Sequence, residues 1–366
     1  MKILIAPDSF KECLSAPEIA GIICDTVERR GHTGVVIPVA DGGEGFAAAL
    51  ATALNARKTV VPAHDALMRP IEAPYYVTDT GTVILEAADT FGLVRIEPEK
   101  RNPLLTTTFG MGEQIAHALK NGHRNFIVGL GGSATNDCGM GIMQASGFIL
   151  LDRKGRPLPR GAAGKDLSAV DRIVAPDIEM NVTLAVDVSN PLLGQNGAAA
   201  VFAPQKGADK NAVSLLEKGA ASFYETTENA LNKKLFPRAG LGAAGGAGLP
   251  FYAFFDAVFK SGIDLILDNG PFDREIKTAG LVITGEGRID AQTAFGKAPA
   301  GVAKRSGNVP VIAVCGRTGN GFENVYKTGI RSVCPITPDG MPFEKAKADA
   351  PRLLTKTVLK ILDEYR

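Results

Sequence analysis

The chain's 366 residues suffice for two domains of ordinary size, and its 45% hydrophobic and 22% charged residues are those of a globular protein with a sizeable core. Lys and Arg number 40 against 39 Asp and Glu, a formal net charge of +1, so no basic stripe argues for a nucleic-acid partner. The N-terminal apolar run is too short for a signal segment or a membrane span, and the five cysteines form no C-x-x-C pair, so a cytoplasmic protein with reduced thiols and no membrane partner is expected.

Residues 2–7 read as a strand ending in Asp8-Ser9-Phe10-Lys11, and Ser15-Ala16-Pro17-Glu18 reads as a capping box that starts a helix to about Arg29. The unit repeats at once: a strand over 35–40, the glycine loop Asp41-Gly42-Gly43-Glu44-Gly45, and a helix over 46–54. Asp41 and Glu44 fit a metal or hydroxyl site and equally the capping of that helix. Residues 55–74, with prolines at 62, 70 and 74, read as an irregular crossing between domains. A strand over 82–86 and a helix opened by Thr106-Thr107-Thr108 and running through Lys120 follow, with His117 and His123 read as solvated or core-edge side chains.

Next comes NFIVGLGGSATNDCGMG, from Asn125 to Gly141. An apolar strand stops in glycines and small polar groups where a helix can begin near Gly139-Met140, which suits a phosphate or a carboxylate. The same loop matches the permissive G-x-G-x-x-A dinucleotide fingerprint, with Asp152 placed as a ribose-binding acid, and a plain strand-to-helix turn without a ligand is the third reading. After a strand over 148–151, residues 152–170 read as an exposed hairpin or loop. Strand 182–186 then leads to Asp187-Val188-Ser189-Asn190-Pro191, and 212–231 is the longest amphipathic helix. The cluster GLGAAGGAG over 240–248 suits either a nucleotide pocket or close packing. Strand 279–284 ends in Gly285-Glu286-Gly287-Arg288-Ile289-Asp290, and strands over 309–314 and 332–336 precede a helix from about 343 to 364. Such alternation indicates an α/β fold.

Acids recur at strand ends: Asp8, Asp41, Asp187 and Glu286, with Asp137 after the central strand. Carboxylates gathered at one sheet edge need cations to balance them. Mg²⁺ on a polyphosphate would serve, and Lys11, Arg288 and Lys297 are placed to face anions, so phosphoryl transfer is favoured. No P-loop, protein-kinase, zincin or G-x-S-x-G pattern occurs, which leaves a kinase of another kind.

Five segments in order resemble the type I glycerate kinases of bacteria. They are Ala6-Pro7-Asp8-Ser9-Phe10-Lys11 with Leu14-Ser15-Ala16, Asp41 to Gly45, Gly131-Gly132-Ser133-Ala134-Thr135-Asn136-Asp137, the Gly242 to Gly248 run with Gly245 and Gly246, and Thr284 to Asp290 with Gln292-Thr293 and Gly296-Lys297. Cys138 stands where that pattern usually has glycine. The resemblance implies two α/β domains, a discontinuous Rossmann-like one (1–66 with 280–366) and an inserted one (67–279), with the active site in the cleft between them. It also implies ATP- and Mg²⁺-dependent phosphorylation of D-glycerate at its 2- or 3-hydroxyl.

On this reading Asp187 or Asp41 is the base, and Lys11 and Arg288 balance anionic oxygens. Asp8, Glu286 or Asp290 holds the metal. Substrate and nucleotide are bound by Asp8, Ser9, Gly131, Gly132, Ser133, Thr135, Asn136, Asp137, Asn190, Gly245, Gly246 and Lys297, although which glycine loop takes which ligand stays open. The assembly state is open too, a homodimer included. A nicotinamide dehydrogenase and a non-catalytic organic-acid binder are the competing classes.

Overall fold

The computed structural model describes the chain except Lys11, Glu12, Asp41 and Arg366, and the side chain of Phe295. Its strands are β1 (Lys2–Pro7), β2 (Thr33–Val36), β3 (Arg57–His64), β4 (Pro70–Val77), β5 (Val83–Glu86), β6 (Asn125–Gly129), β7 (Ile149–Leu151), β8 (Arg172–Val174), β9 (Asn181–Ala185), β10 (Val258–Lys260), β11 (Leu281–Ile289), β12 (Val311–Thr318) and β13 (Ile330–Pro335). The chain divides into two compact units. Unit 1 comprises Met1–Asp41, Thr52–Leu54 and Ser261–Arg366, and unit 2 comprises Gly42–Ala51 and Asn55–Lys260.

Unit 1 is a parallel sheet in the order β13-β12-β11-β1-β2. That is the 2-1-3-4-5 doubly wound order, rather than the 3-2-1-4-5-6 order of the dinucleotide fold. The pleat of β1 sends Ile3 and Ile5 into one core with helices Ala16–Arg29 and Phe343–Glu364, and Leu4 and Ala6 into another with helices Gly262–Asn269 and Ala298–Arg305. Each such Ile or Leu contributes about 1.5–3 kcal/mol by burial. The capping box forms as expected: Ser15 N donates to Glu18 Oε2 at 2.8 Å, and Glu18 N donates to Ser15 Oγ at 3.4 Å. Pro351 lies inside the last helix, where it cannot donate to the carbonyl of Lys347, and the Cys13 thiol sits 3.9 Å from that oxygen.

Unit 2 carries a mixed sheet, β10-β9-β6-β5-β4-β3, parallel from β10 to β5 and antiparallel across β5-β4-β3. Leu85, Val128 and Leu184 on its parallel strands pack with Met111 and Ile115 of helix Phe109–Lys120. The 22-residue helix Lys210–Leu231 covers a second core through Ala220 and Phe223.

Two expectations are corrected. Residues 55–74 are no irregular crossing: they form most of an antiparallel hairpin, in which β3 and β4 pair from Arg57 with Val77 to His64 with Pro70. Its prolines sit where ladder bonds are dispensable. Pro62 is on the edge strand, Pro70 opens β4, and Pro74 lies beyond the two residues, Tyr76 and Val77, that pair with β5. The strand expected over 35–40 is instead Thr33–Val36, because Pro38 has no N–H to extend the ladder.

Candidate active site

At the switch point of the unit 1 sheet, where neighbouring strands feed connections of opposite direction, β1 and β11 lie side by side. Asp8 follows β1, its N–H donating to Gly285 O at 2.8 Å while its Oδ1 accepts from Ser9 N at 2.6 Å. Glu286, on β11, is buried; Thr293 Oγ1 donates to its Oε1, and Lys297 Nζ lies 3.3 Å from its Oε2. Arg288 is largely exposed, with its Nε 3.7 Å from Asp290 Oδ2, and Asp290 Oδ1 accepts from Gln292 N. The sequence therefore brings Asp8, Ser9, Glu286, Arg288, Asp290 and Lys297 to one edge, a mixed set of carboxylates and cations. Among the described residues no three His, Cys, Asp or Glu group closely enough to cage a metal ion. Two candidates, Lys11 and Asp41, lie outside the described residues.

The carboxyl ends of β5, β6 and β9 form the corresponding edge of unit 2, and there the loops interlock through glycines. Gly131 N donates to Gly42 O at 2.9 Å, and a Cβ on Gly131 would collide with the backbone of Gly43. On Gly42 a Cβ would meet Asp187 Oδ2 at 2.9 Å, so the half-buried Asp187 lies directly against this loop. The 240–248 cluster packs the same way: Gly245, at φ +66°, has no room for a Cβ beside Thr135 O, and Cys138 N donates to Gly245 O at 3.1 Å. Gly242 N donates to Asn190 O, whose own Nδ2 donates to Asn196 O at 2.8 Å. Close approach of loop to loop thus accounts for the glycine spacing that imitates a dinucleotide fingerprint. Cys138 has φ +52°, in the left-handed region where glycine is least strained.

Asp137 is wholly buried and serves as the anchor of its loop. Its Oδ2 accepts from Thr108 N at 2.8 Å, Thr108 Oγ1 at 2.9 Å and Gly141 N at 3.2 Å, and its Oδ1 accepts from Gly139 N at 3.1 Å. Desolvation raises its pKa, and these bonds oppose the rise. Ser133, Thr135 and Asn136 are buried beside it, whereas Gly132 is exposed.

Two side chains absent from the expected site complete this edge. Glu86, the last residue of β5, is buried and accepts from Gly45 N at 3.0 Å and Ala47 N at 2.7 Å, the amides at the start of helix Phe46–Ala53. Burial first, then the charge of Asp89, pushes its carboxyl up to about 7. The helix cap is thus Glu86 from another strand, while Glu44 is exposed. The strand-end rule that selected Asp187 and Glu286 applies equally to Glu86. Lys206, by contrast, had no such signal. It is 2% exposed, with Nζ donating to Ser133 Oγ at 2.9 Å and Thr135 O at 2.7 Å, and burial lowers its ammonium to about 7 against a smaller upward pull from Asp137.

Comparison with known proteins matches the chain nearly from end to end. The family model described as the glycerate kinase family matches residues 3–366. A glycerate kinase of Bacillus subtilis (strain 168) is 42% identical over 99% of this chain and 97% of its own length. A glycerate 2-kinase of Escherichia coli (strain K12) is 38% identical over 92% and 90%. A solved structure from Salmonella typhimurium LT2, assigned there as glycerate kinase 2, superposes with a TM-score of 0.81 at 35% identity, covering 100% of this chain and 98% of that one. The chain belongs to the glycerate kinase family and is an enzyme of the kinase class.

Proposed function

We propose that the chain transfers the γ-phosphate of ATP to a hydroxyl of D-glycerate, giving ADP and 2- or 3-phosphoglycerate. The observation that carries this reading is the match with glycerate kinases over residues 3–366, within which every strand-end loop described above falls. The name of the Escherichia coli relative favours the 2-hydroxyl.

Phosphoryl transfer rests on positioning and charge neutralisation. Asp187, or Asp41, orients the attacking hydroxyl and takes its proton. Arg288 and Lys297 face phosphate oxygens, Lys11, outside the described residues, is given the same charge-balancing role, and the glycine loops supply backbone N–H groups. Mg²⁺ fits this donor set in one form: with no cage of three ligands among the described residues, it would arrive on the phosphates and take one or two of the carboxylates of Asp8, Glu286 and Asp290. There it would neutralise charge on the transferred group. We take the two units as two domains, the middle of the chain being inserted into the other. The cytoplasm is the assigned compartment, in keeping with five free cysteines. No helix among the described residues is long and apolar enough to cross a membrane.

An ADP-release assay with ATP, Mg²⁺ and a panel of small hydroxy acids tests the reading. Glycerate-dependent ADP release is expected, with enolase coupling to identify 2-phosphoglycerate. Release with another hydroxy acid but none with glycerate would refute the substrate, and release with none would refute the kinase. Light scattering reads the assembly state, a homodimer included.

A further inference from the structure

Lys206 is a buried cation that the phosphoryl-transfer scheme above does not use. Its ammonium makes two hydrogen bonds, to a hydroxyl and to a carbonyl, and neither acceptor carries a charge. The nearest carboxylate that acts on it is Asp137, but Asp137 forms no ion pair with it and has its oxygens occupied by Thr108, Gly139 and Gly141. Among the described residues the ammonium thus has no counter-ion; burial lowers it to about 7, and an anion beside it would restore its full charge, so the interior lies poised to gain one.

The hydrogen-bond geometry says where that anion goes. Ser133 Oγ accepts from Lys206, so its own proton points elsewhere, and among the described residues no acceptor takes it. Next in the loop but two, Asn136 is wholly buried and neither its Oδ1 nor its Nδ2 has a partner among the described residues. Buried polar groups are normally satisfied, and an unmet amide costs stability unless a ligand meets it. Three features therefore meet at residues 133–136: the Lys206 ammonium behind the loop, an oriented hydroxyl donor on Ser133, and the Asn136 amide, able both to donate and to accept.

We infer that Lys206 is a positioning residue which, acting through Ser133, makes the 131–136 loop the seat of the carboxylate of the hydroxy-acid substrate. This rests on the proposed glycerate kinase reading and assigns the ligand of this loop. One lysine and one hydroxyl match a single carboxylate charge, whereas a polyphosphate calls for several cations. The amide of Asn136, with one donor side and one acceptor side, suits the carboxylate and hydroxyl of a hydroxy acid.

The test compares wild type, Lys206→Met and Ser133→Ala in steady-state ADP release, varying glycerate and ATP separately, with thermal unfolding of each. Loss of the charged support in Lys206→Met, or of the hydroxyl it orients in Ser133→Ala, is expected to raise KM for glycerate about tenfold or more while KM for ATP stays within about twofold. A rise confined to KM for ATP would assign the loop to the nucleotide and overturn the inference. So would a fall in melting temperature with both KM values unchanged, since that is what a purely structural lysine predicts. If Lys206→Met does not fold, Ser133→Ala carries the test, because it removes the hydroxyl and leaves the lysine pocket filled. Wild type without glycerate-dependent turnover would refute the functional reading and this assignment together; normal wild-type turnover with unchanged variants would refute the assignment alone.

Discussion

Replacing Glu86 with Gln separates two effects that the buried carboxyl combines. Its oxygens cap the start of helix Phe46–Ala53 through Gly45 N and Ala47 N, and its environment raises its pKa from 4.5 to about 7. Gln keeps one acceptor oxygen for two donors, a loss of about 1–3 kcal/mol that does not depend on pH. The titration effect does depend on it. Between about pH 4.5 and 7 the folded protein holds a proton on Glu86 that the unfolded chain has released, so wild-type stability falls as pH rises through this window. At about 1.4 kcal/mol per pH unit the total is roughly 3 kcal/mol. Asp89 is also raised, to about 6, chiefly by its own burial, so its pH dependence is common to wild type and variant and largely cancels from their difference. Urea unfolding of wild type and Glu86→Gln from pH 5 to 8, followed by circular dichroism, should therefore show the variant clearly less stable at pH 5 and level with or above wild type at pH 8. Parallel stability curves would refute the reasoning, since they would mean that Glu86 is ionised across the whole range.

Asp187→Asn should lower kcat by about 10²–10⁴ with little change in melting temperature, because the amide keeps the shape against Gly42 but cannot take a proton; near wild-type kcat would remove Asp187 as the base. Gly245→Ala should destabilise by more than about 2 kcal/mol in urea unfolding, as it combines a positive φ with a collision at Thr135 O. Gly194→Ala, at φ +93° with nothing within 4 Å, should cost only about 1 kcal/mol. Equal losses would mean that strain, not loop contact, selects glycine at 245.

Local rules are readable from the chain wherever one segment decides the outcome. The capping box at Ser15, the strand ending at Asp8 and the helix Phe343–Glu364 follow from propensity, periodicity and caps held within a few residues. The five glycine and acid segments are also plain in the sequence, and with them the family. What the chain alone could not reveal is partnership across long separations. Pro62 and Pro74 look like breakers until β3 proves to be an edge and β4 to meet β5 only through Tyr76 and Val77. Glu86 looks like an ordinary strand end until Gly45 and Ala47 fold against it, and Lys206 is 73 residues from the hydroxyl it holds. Asp137 reads as a ligand group in isolation and the 240–248 glycines as either a pocket or a packing surface; the fold adds that Asp137 anchors its loop and that these glycines let backbones touch. Propensity and capping act over a single turn, whereas burial and hydrogen-bond satisfaction depend on which distant backbone closes over a side chain, and only the packed sheet edge determines that.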